Sequence, residues 1–222
     1  MFTFIGREVL AIDLLNASND PSEAILWRKS ILPTNTNGSV SIPLRSRVTT
    51  TPWGTRRYNA VDAAGNKIGI SGTVNLNGIV YQQQGDLYCV DPITGETIWI
   101  RNGINPGSEI YTEGNRIIVI PPNSVIATEY SLTDGAEVQQ IEGISRSERW
   151  LIEGFKSLVY QLTGTDIMIG LQDVSNGEMV WQQTYATGLR GQMMGTRLAL
   201  MQPTGKFEIR DLLTGQTIIE KK

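Results

Sequence analysis

Residues 86–99 read DLYCVDPITGETIW: an apolar segment, a turn from Asp91 to Gly95, and a second apolar segment that ends at Trp99. The first segment alternates as a half-buried strand does. An Asp at the start of a tight turn accepts backbone N–H groups across it. A Gly at its end supplies the positive φ that a hairpin with a bulge requires. The stretch therefore predicts two antiparallel strands joined by a turn.

Two ladders of glycines repeat this unit along the chain. The turn glycines Gly95, Gly135, Gly177 and Gly215 are separated by 40, 42 and 38 residues. A second set, which precedes apolar strands, has spacings of 36, 40 and 41 residues and consists of Gly78, Gly114, Gly154 and Gly195. A period near 40 is typical of a four-stranded propeller blade. The repeat predicts an all-β fold, a β-propeller or propeller fragment of about five to six four-stranded antiparallel blades.

The repeated residues are predicted to be structural. We expect the aspartates to cap turns, and the aromatic four residues after the Gly to pack between neighbouring sheets with its indole N–H on a carbonyl. Two units carry Gln139 or Ile219 in that aromatic position. The structural repeat residues are Asp91, Gly95, Trp99, Gly135, Asp173, Gly177, Trp181, Asp211 and Gly215.

The domain prediction is one propeller-like domain over residues 1–222. Its repeat units are 1–30 (partial), 31–70 (weak or inserted), 71–103, 104–143, 144–185 and 186–222. The first unit is expected to hold only two strands, at Glu8 to Asp13 and Ile25 to Arg28, whereas the last ends with a complete strand. We therefore expect part of a larger propeller, or a ring completed by other chain segments; a closed ring of five or six irregular blades is the alternative.

Composition excludes several kinds of chemistry. The chain has one Cys and no His, which excludes a disulfide framework, a multi-thiolate metal site and histidine acid–base catalysis. No apolar run approaches the roughly 18 residues of a membrane-spanning helix, and no signal peptide is visible. The chain as given is expected to be soluble, and the sequence assigns it no compartment.

Residues 86–99 resemble the repeat of quinoprotein-like (PQQ-like) β-propellers, in which an apolar strand and an Asp precede a short Thr-Gly turn and a Trp. The resemblance is good from Gly72 to the C-terminus and poor before it. It implies blades, and in the family's dehydrogenases a quinone held near an adjacent Cys pair, with Ca²⁺ and a catalytic Asp. This chain has only Cys89, in a blade strand. The resemblance therefore implies a non-catalytic scaffold, with no cofactor and no metal.

Charge is distributed unevenly. Residues 24–61 hold no Asp or Glu and six basic residues, so the chain's net charge of −3 leaves −9 for the remainder. The candidate anion- or partner-binding residues in this stretch are Arg45, Arg47, Trp53, Arg56, Arg57 and Tyr58. The simpler interpretation, which we favour, is a solvated insertion between strands. The acidic remainder argues against nucleic acid as the partner.

No set of residues predicts catalysis. Glu109, Glu113, Asp166 and Asp173 are carboxylates without a motif, and Asp173 is better explained as a turn cap. The predicted function is a non-enzymatic binding or scaffolding module whose face loops engage a protein or ligand, or other segments of a longer propeller. The alternative is the propeller part of an enzyme or enzyme-linked sensor, with catalysis at channel carboxylates or elsewhere in a longer chain. Carboxylates from different blades meeting in one deep pocket would favour the enzyme.

Overall fold

The structure is a computed structural model that describes residues 2–5, 8–13, 23–30, 45–51, 54–61, 72–75, 77–83 and 85–221. These residues form strands and turns and no helix, so the all-β prediction is confirmed. They include no helix of the length and apolar character that crossing a membrane requires. Every sheet is a meander in which spatial neighbours are neighbours in sequence.

The strands described before residue 72 form two small sheets. The first has three strands: β1 (Phe2–Ile5), β2 (Glu8–Ile12) and β3 (Ile25–Ser30). The second has two strands: β4 (Arg45–Thr51) and β5 (Gly54–Val61). The expectation of only two strands in the first unit was wrong. Phe2 to Ile5 pair with Ala11 to Glu8 across a two-residue connection, too short to be recognised from alternation.

The remaining strands form four sheets of four strands each. The first two sheets contain β6 (Gly72–Asn75), β7 (Gly78–Gln83), β8 (Asp86–Val90), β9 (Thr97–Asn102), and then β10 (Glu109–Glu113), β11 (Arg116–Ile120), β12 (Ala127–Ser131), β13 (Glu137–Ile141). The last two contain β14 (Glu148–Glu153), β15 (Lys156–Thr163), β16 (Asp166–Asp173), β17 (Glu178–Ala186), and then β18 (Arg190–Met194), β19 (Arg197–Met201), β20 (Phe207–Asp211), β21 (Thr217–Lys221). Sequential four-stranded meanders of this kind are the blades of a β-propeller or propeller fragment.

The chain divides into two compact units. One comprises Met1–Ser46, Asn59–Pro122 and Thr128–Gln139, and the other Arg47–Tyr58, Asn123–Ala127 and Gln140–Lys222. Each has its own apolar core between sheets. In the first unit Val80, Leu87, Ile117 and Val119 belong to one buried cluster from the β6–β9 and β10–β13 sheets. In the second, residues of the β14–β17 and β18–β21 sheets form the corresponding cluster, which includes Leu158, Ile169, Leu198, Leu200 and Leu212.

Burial falls from the second and third strands of a sheet to the fourth. Five of the six residues of β7 are buried, because both faces of that strand are covered. In β9, by contrast, exposed and half-buried residues alternate after Thr97. The fourth strand of each sheet therefore presents the side chains that are open to interaction.

Candidate functional site

The turn between the third and fourth strands is built the same way in three sheets. Asp91 Oδ1 accepts the backbone N–H groups of Ile93 (2.7 Å) and Thr94 (2.8 Å), and the Gly95 N–H donates to the Asp91 carbonyl (2.9 Å). Asp211 accepts the Thr214 N–H at 2.8 Å, and Asp173 accepts that of Ser175 at 2.9 Å. These three aspartates are engaged by turn groups.

Backbone donors also set the ionisation of the turn carboxylates. The hydrogen bond from Thr94 lowers the pKa of Asp91, and that from Thr214 lowers the pKa of Asp211. The turn after β12 begins with Ser131 in place of Asp, and there Asp134 accepts the Ala136 N–H at 3.1 Å, which lowers its pKa. Acceptors held in this way stabilise the turn and are poor candidates for general acids.

A tryptophan of one sheet lies directly on a turn glycine of the next. Within the first unit Trp27 of β3 covers Gly95; an ideal β-carbon on that glycine would lie 2.6 Å from Trp27 Cδ2. Trp99 of β9 covers Gly135 in the same way, and an ideal β-carbon on that glycine would lie 2.8 Å from Trp99 Cε3. Within the second unit Trp181 of β17 covers Gly215, and an ideal β-carbon there would lie 2.4 Å from Trp181 Cγ. The three-stranded sheet is thus the direct neighbour of the β6–β9 sheet.

Each indole N–H donates to a carbonyl in the facing turn. The Nε1–O distances are 3.1 Å from Trp27 to Pro92, 2.7 Å from Trp99 to Leu132 and 2.7 Å from Trp181 to Leu212. Close packing and a hydrogen bond together fix the spacing of the two sheets, because a polar group at a half-buried position is satisfied only in that register.

Gln139 occupies the aromatic position of the β10–β13 sheet and behaves differently. Its Nε2 donates to Glu129 Oε2 of the same sheet at 2.7 Å. Glu129 also receives a bidentate pair from Arg116, and this hydrogen bonding lowers the pKa of Glu129. Gly177, the next turn glycine, lies instead against the backbone of its own unit, with an ideal β-carbon 2.0 Å from the Glu142 carbonyl oxygen.

In the first unit, a second polar pair accompanies each of the two Trp–Gly contacts between sheets. The residue two positions after the Trp meets the residue two positions after the facing Gly. Lys29 Nζ donates to Thr97 Oγ1 at 2.6 Å, and Arg101 Nη2 lies 3.4 Å from Glu137 Oε2. These pairs tie the outer strands of adjacent sheets together.

The two equivalent residues in the second unit are not hydrogen-bonded to each other. Gln183 and Thr217 occupy the two positions, but the Gln183 amide donates to the neighbouring Thr184 carbonyl at 3.3 Å instead. Both residues line a cleft of about 180 Å³ between the β14–β17 and β18–β21 sheets. The lining is polar and consists of Gln183, Thr184, Tyr185, Gln202, Lys206, Glu208, Arg210, Thr217 and Glu220.

A buried charged network forms one wall of the cleft. Glu208 is only 3 % exposed, and its Oε1 accepts the Tyr185 hydroxyl and lies 3.3 Å from Arg210 Nη2. Arg210 also donates to the Gly215 carbonyl and has its Cζ 5.6 Å from the Trp181 ring centroid. Burial, and then the hydrogen bond to Glu208, raises the pKa of Tyr185. The tyrosine is therefore a hydrogen-bond donor at neutral pH.

The exposed side of the cleft carries a second ion pair, with Lys206 Nζ 3.0 Å from Glu220 Oε1. The two cations and two carboxylates of the lining cancel in formal charge. Both carboxylates, Glu208 on β20 and Glu220 on β21, belong to one sheet. The cleft is polar and electrically balanced, without a pair of carboxylates converging from two sheets.

The last strand of five sheets, which we call an outer strand, has an apolar residue just before the aromatic position. The outer strands are β3, β9, β13, β17 and β21. All five apolar residues are 46 to 58 % exposed: Leu26, Ile98, Val138, Val180 and Ile218. Single exposed apolar residues are ordinary. Their recurrence at one position of the repeat defines a feature, which we call the outer row.

The predicted basic surface lies on β4 and β5. Arg45 and Arg47 are residues of β4, and Arg56, Arg57 and Tyr58 are residues of β5, so their backbone is paired strand. Their side chains, and Trp53 entirely, lie outside the described residues. Their binding role stays a prediction.

The described carboxylates do not assemble a metal or catalytic centre. No group of three Asp, Glu or Cys side chains among the described residues has metal-binding geometry. Glu109 Oε2 accepts the Tyr111 hydroxyl at 3.0 Å, Asp173 caps its turn, and Glu113 and Asp166 are exposed. Cys89 is fully buried, and burial raises its pKa to about 11.

Sequence reasoning missed the cleft residues Tyr185, Glu208 and Arg210. One signal was present, since Phe207-Glu208-Ile209-Arg210 carries two charges in a strand position where the repeat elsewhere is largely apolar. Charges in a strand of this kind predict either an exposed face or a buried pair.

We compared the chain with known proteins. No family model matches it, and no curated protein matches it. Among solved structures it is similar to BamB from Moraxella catarrhalis, with 18 % identity and a TM-score of 0.42 over 82 % of this chain and 61 % of that one. The chain thus spans about three fifths of the length of that BamB chain.

A second similar structure is the computationally designed protein Ika4. Identity is 14 % and the TM-score 0.42, over 67 % of this chain and 94 % of the designed one. The TM-score is below 0.5 for both structures.

Proposed function

We propose that this chain is a non-enzymatic binding and scaffolding module, built on PQQ-like β-propeller repeats, that engages a protein partner through its outer strands and loops. The observation that carries the proposal is the outer row. At this position of the repeat, five equivalent strands each have an apolar side chain with about half its surface exposed. Partner surfaces combine such apolar contacts with a polar rim.

The outer strands are suited to a partner for a second reason. A fourth strand pairs on one side with the third strand of its sheet, and the described residues supply no neighbour on its other side. An edge of this kind has backbone donors and acceptors to which an extended peptide can add as a further strand. The outer row would then supply side-chain contacts beside a backbone ladder.

The chemistry of the cleft supports the non-enzymatic part of the proposal. Glycoside hydrolysis by carboxylates uses two groups that flank the substrate. Here Glu208 is held by Arg210, Glu220 is held by Lys206, and both lie on one sheet. This arrangement favours binding over the enzymatic alternative.

The test is partner capture by variants of the outer row. Ile98→Lys with Val138→Lys places two charges in the row of the first unit. The matched control is Leu151→Lys with Leu162→Lys, two exposed apolar residues outside the row (53 and 60 % exposed). Bound proteins from a lysate of the source cells are quantified by mass spectrometry on immobilised wild type, row variant and control.

The proposal predicts a partner retained by wild type and control and lost by the row variant. We expect all three chains to remain folded, because surface substitutions change stability by about 0.5 kcal/mol or less. Far-UV circular dichroism checks this. If the row variant and the control retain the same proteins in equal amounts, the outer row is not the binding surface.

A further inference from the structure

We propose that the cleft between β17 and the β20–β21 pair is a binding site for a neutral, hydroxyl-rich ligand, a saccharide unit or a similar polyol. This inference concerns a different surface from the outer row and does not rest on the protein partner proposed above. Three properties of the cleft lead to it: its equivalents are bridged by side chains and it is not, it is balanced in charge, and a carboxylate in its lining has an oxygen with no hydrogen bond among the described residues.

The opening is specific to this interface. In the first unit the corresponding positions are bridged by Lys29 to Thr97 and by Arg101 to Glu137. In the second unit the Gln183 side chain turns to its own strand, and Thr217 lines the space that remains. The volume of about 180 Å³ is that of roughly six water molecules, enough for one small ring with its hydroxyl groups.

The charges select a neutral ligand. Arg210 is committed to Glu208 and the Gly215 carbonyl, and Lys206 to Glu220. An added anion or cation would have to compete with the exposed pair of Lys206 and Glu220 or separate the buried pair of Arg210 and Glu208, and breaking a buried pair is costly. A neutral ligand leaves both pairs in place.

The acceptors and donors match hydroxyl groups. Among the described residues, every hydrogen bond to the Glu208 carboxylate reaches Oε1. Oε2 therefore retains unused lone pairs in a buried residue that lines the cleft, and a ligand O–H can donate to it. The side chains of Gln183, Gln202 and Thr217 both donate and accept, as each hydroxyl of a polyol does.

The same lining is a poor anchor for a protein side chain. Protein interfaces concentrate their energy in apolar and aromatic pockets that exclude water. Trp181 is half-buried with its ring occupied by Gly215 and Arg210, and Tyr185 is buried with its hydroxyl on Glu208. The accessible groups are amides, hydroxyls and charged pairs, which suit a polar small molecule with bridging water.

The experiment is saturation-transfer NMR followed by titration calorimetry on the full chain. The neutral probes are glucose, galactose, maltose and myo-inositol; the charged probes are glucuronate and glucosamine. The cleft variant is Gln183→Ala with Thr217→Ala, both exposed positions that keep the Glu208–Arg210 network intact. The control is Gln161→Ala, an exposed amide of the same unit that does not line the cleft.

We expect at least one neutral probe to bind and the charged analogues to bind more weakly. Loss of two neutral hydrogen bonds weakens binding by roughly thirtyfold in the cleft variant, whereas Gln161→Ala binds as wild type does. Glu208→Gln gives a second test, because an amide can still accept from the ligand but no longer pairs with Arg210; charged probes should then gain relative to neutral ones.

The proposal is overturned if glucuronate or glucosamine binds more tightly than every neutral probe, or if none of the six binds at all. It is also overturned if a neutral probe binds equally to wild type and cleft variant. None of these results bears on capture of a protein by the outer row, so failure here is distinguishable from failure of the proposed function.

Discussion

Gly215→Ala is the substitution that most directly probes how two sheets are joined. The glycine has φ +72°, and a β-carbon there would lie 2.4 Å from Trp181 Cγ. A side chain in the left-handed region costs about 1–2 kcal/mol. Displacing the indole adds about 1–3 kcal/mol of overpacking, and loss of its bond to Leu212 about 1 kcal/mol. We expect a total loss of about 3–6 kcal/mol in the free energy of unfolding.

Gly164→Ala provides the matched control in the same unit. Gly164 has φ +62°, and a β-carbon there would meet nothing within 4 Å. Its substitution should cost only the backbone part, about 1–2 kcal/mol. In a Trp181→Ala background the obstructing ring is gone but Cβ of residue 181 remains 2.8 Å from the added β-carbon, so the cost of Gly215→Ala should fall towards that of Gly164→Ala.

Urea unfolding followed by tryptophan fluorescence and far-UV circular dichroism measures all four variants. Equal losses for Gly215→Ala and Gly164→Ala, within about 0.5 kcal/mol, would refute the reasoning. So would a cost for Gly215→Ala that is unchanged when Trp181 is absent.

Three further predictions concern charge and reactivity. The pKa values of Asp91, Asp134 and Asp211 are lowered in the folded chain. The stabilisation that these carboxylates give is therefore complete above the unfolded pKa of about 3.9 and is lost as pH falls through the folded pKa values. The urea concentration at the unfolding midpoint should decrease below pH 4, and it should decrease less in a variant with Asn at all three positions. The Cys89 thiol is fully buried with its pKa raised to about 11, so Ellman's reagent at pH 8 should label it only after unfolding; rapid labelling of the native chain would place the thiol elsewhere. Four reversals to Glu in the basic stretch should abolish partner capture if that stretch is a binding surface, whereas four reversals at exposed positions outside it should not, although both sets change the net charge from −3 to −11; the first set is Arg45, Arg47, Arg56 and Arg57, and the second is Arg146, Arg190, Arg197 and Lys221.

The repeat was readable from the sequence because its signals are local. Asp91 and Gly95 lie four residues apart, and their turn is a matter of backbone conformation that one short segment determines. The all-β prediction is confirmed for this reason. Strand β1 was missed because it is four residues long and joined to β2 through only two.

The cleft could not be predicted because its walls are distant in sequence. Tyr185 and Glu208 are 23 residues apart and meet only because adjacent sheets pack face to face. Whether Gln183 bridges to Thr217 or turns back to Thr184 depends on intersheet distances that no local pattern encodes. The buried pair of Glu208 with Arg210 is likewise a property of the tertiary environment.

The central claim is that sheets within each unit are interlocked by a tryptophan seated on a turn glycine. Nuclear Overhauser spectra of a sample labelled at Gly and Trp measure this directly. The account predicts cross-peaks from the indole protons of Trp27, Trp99 and Trp181 to the α-protons of Gly95, Gly135 and Gly215 respectively, with ring-current shifts at those glycines. Absence of these cross-peaks in a folded sample would contradict the account.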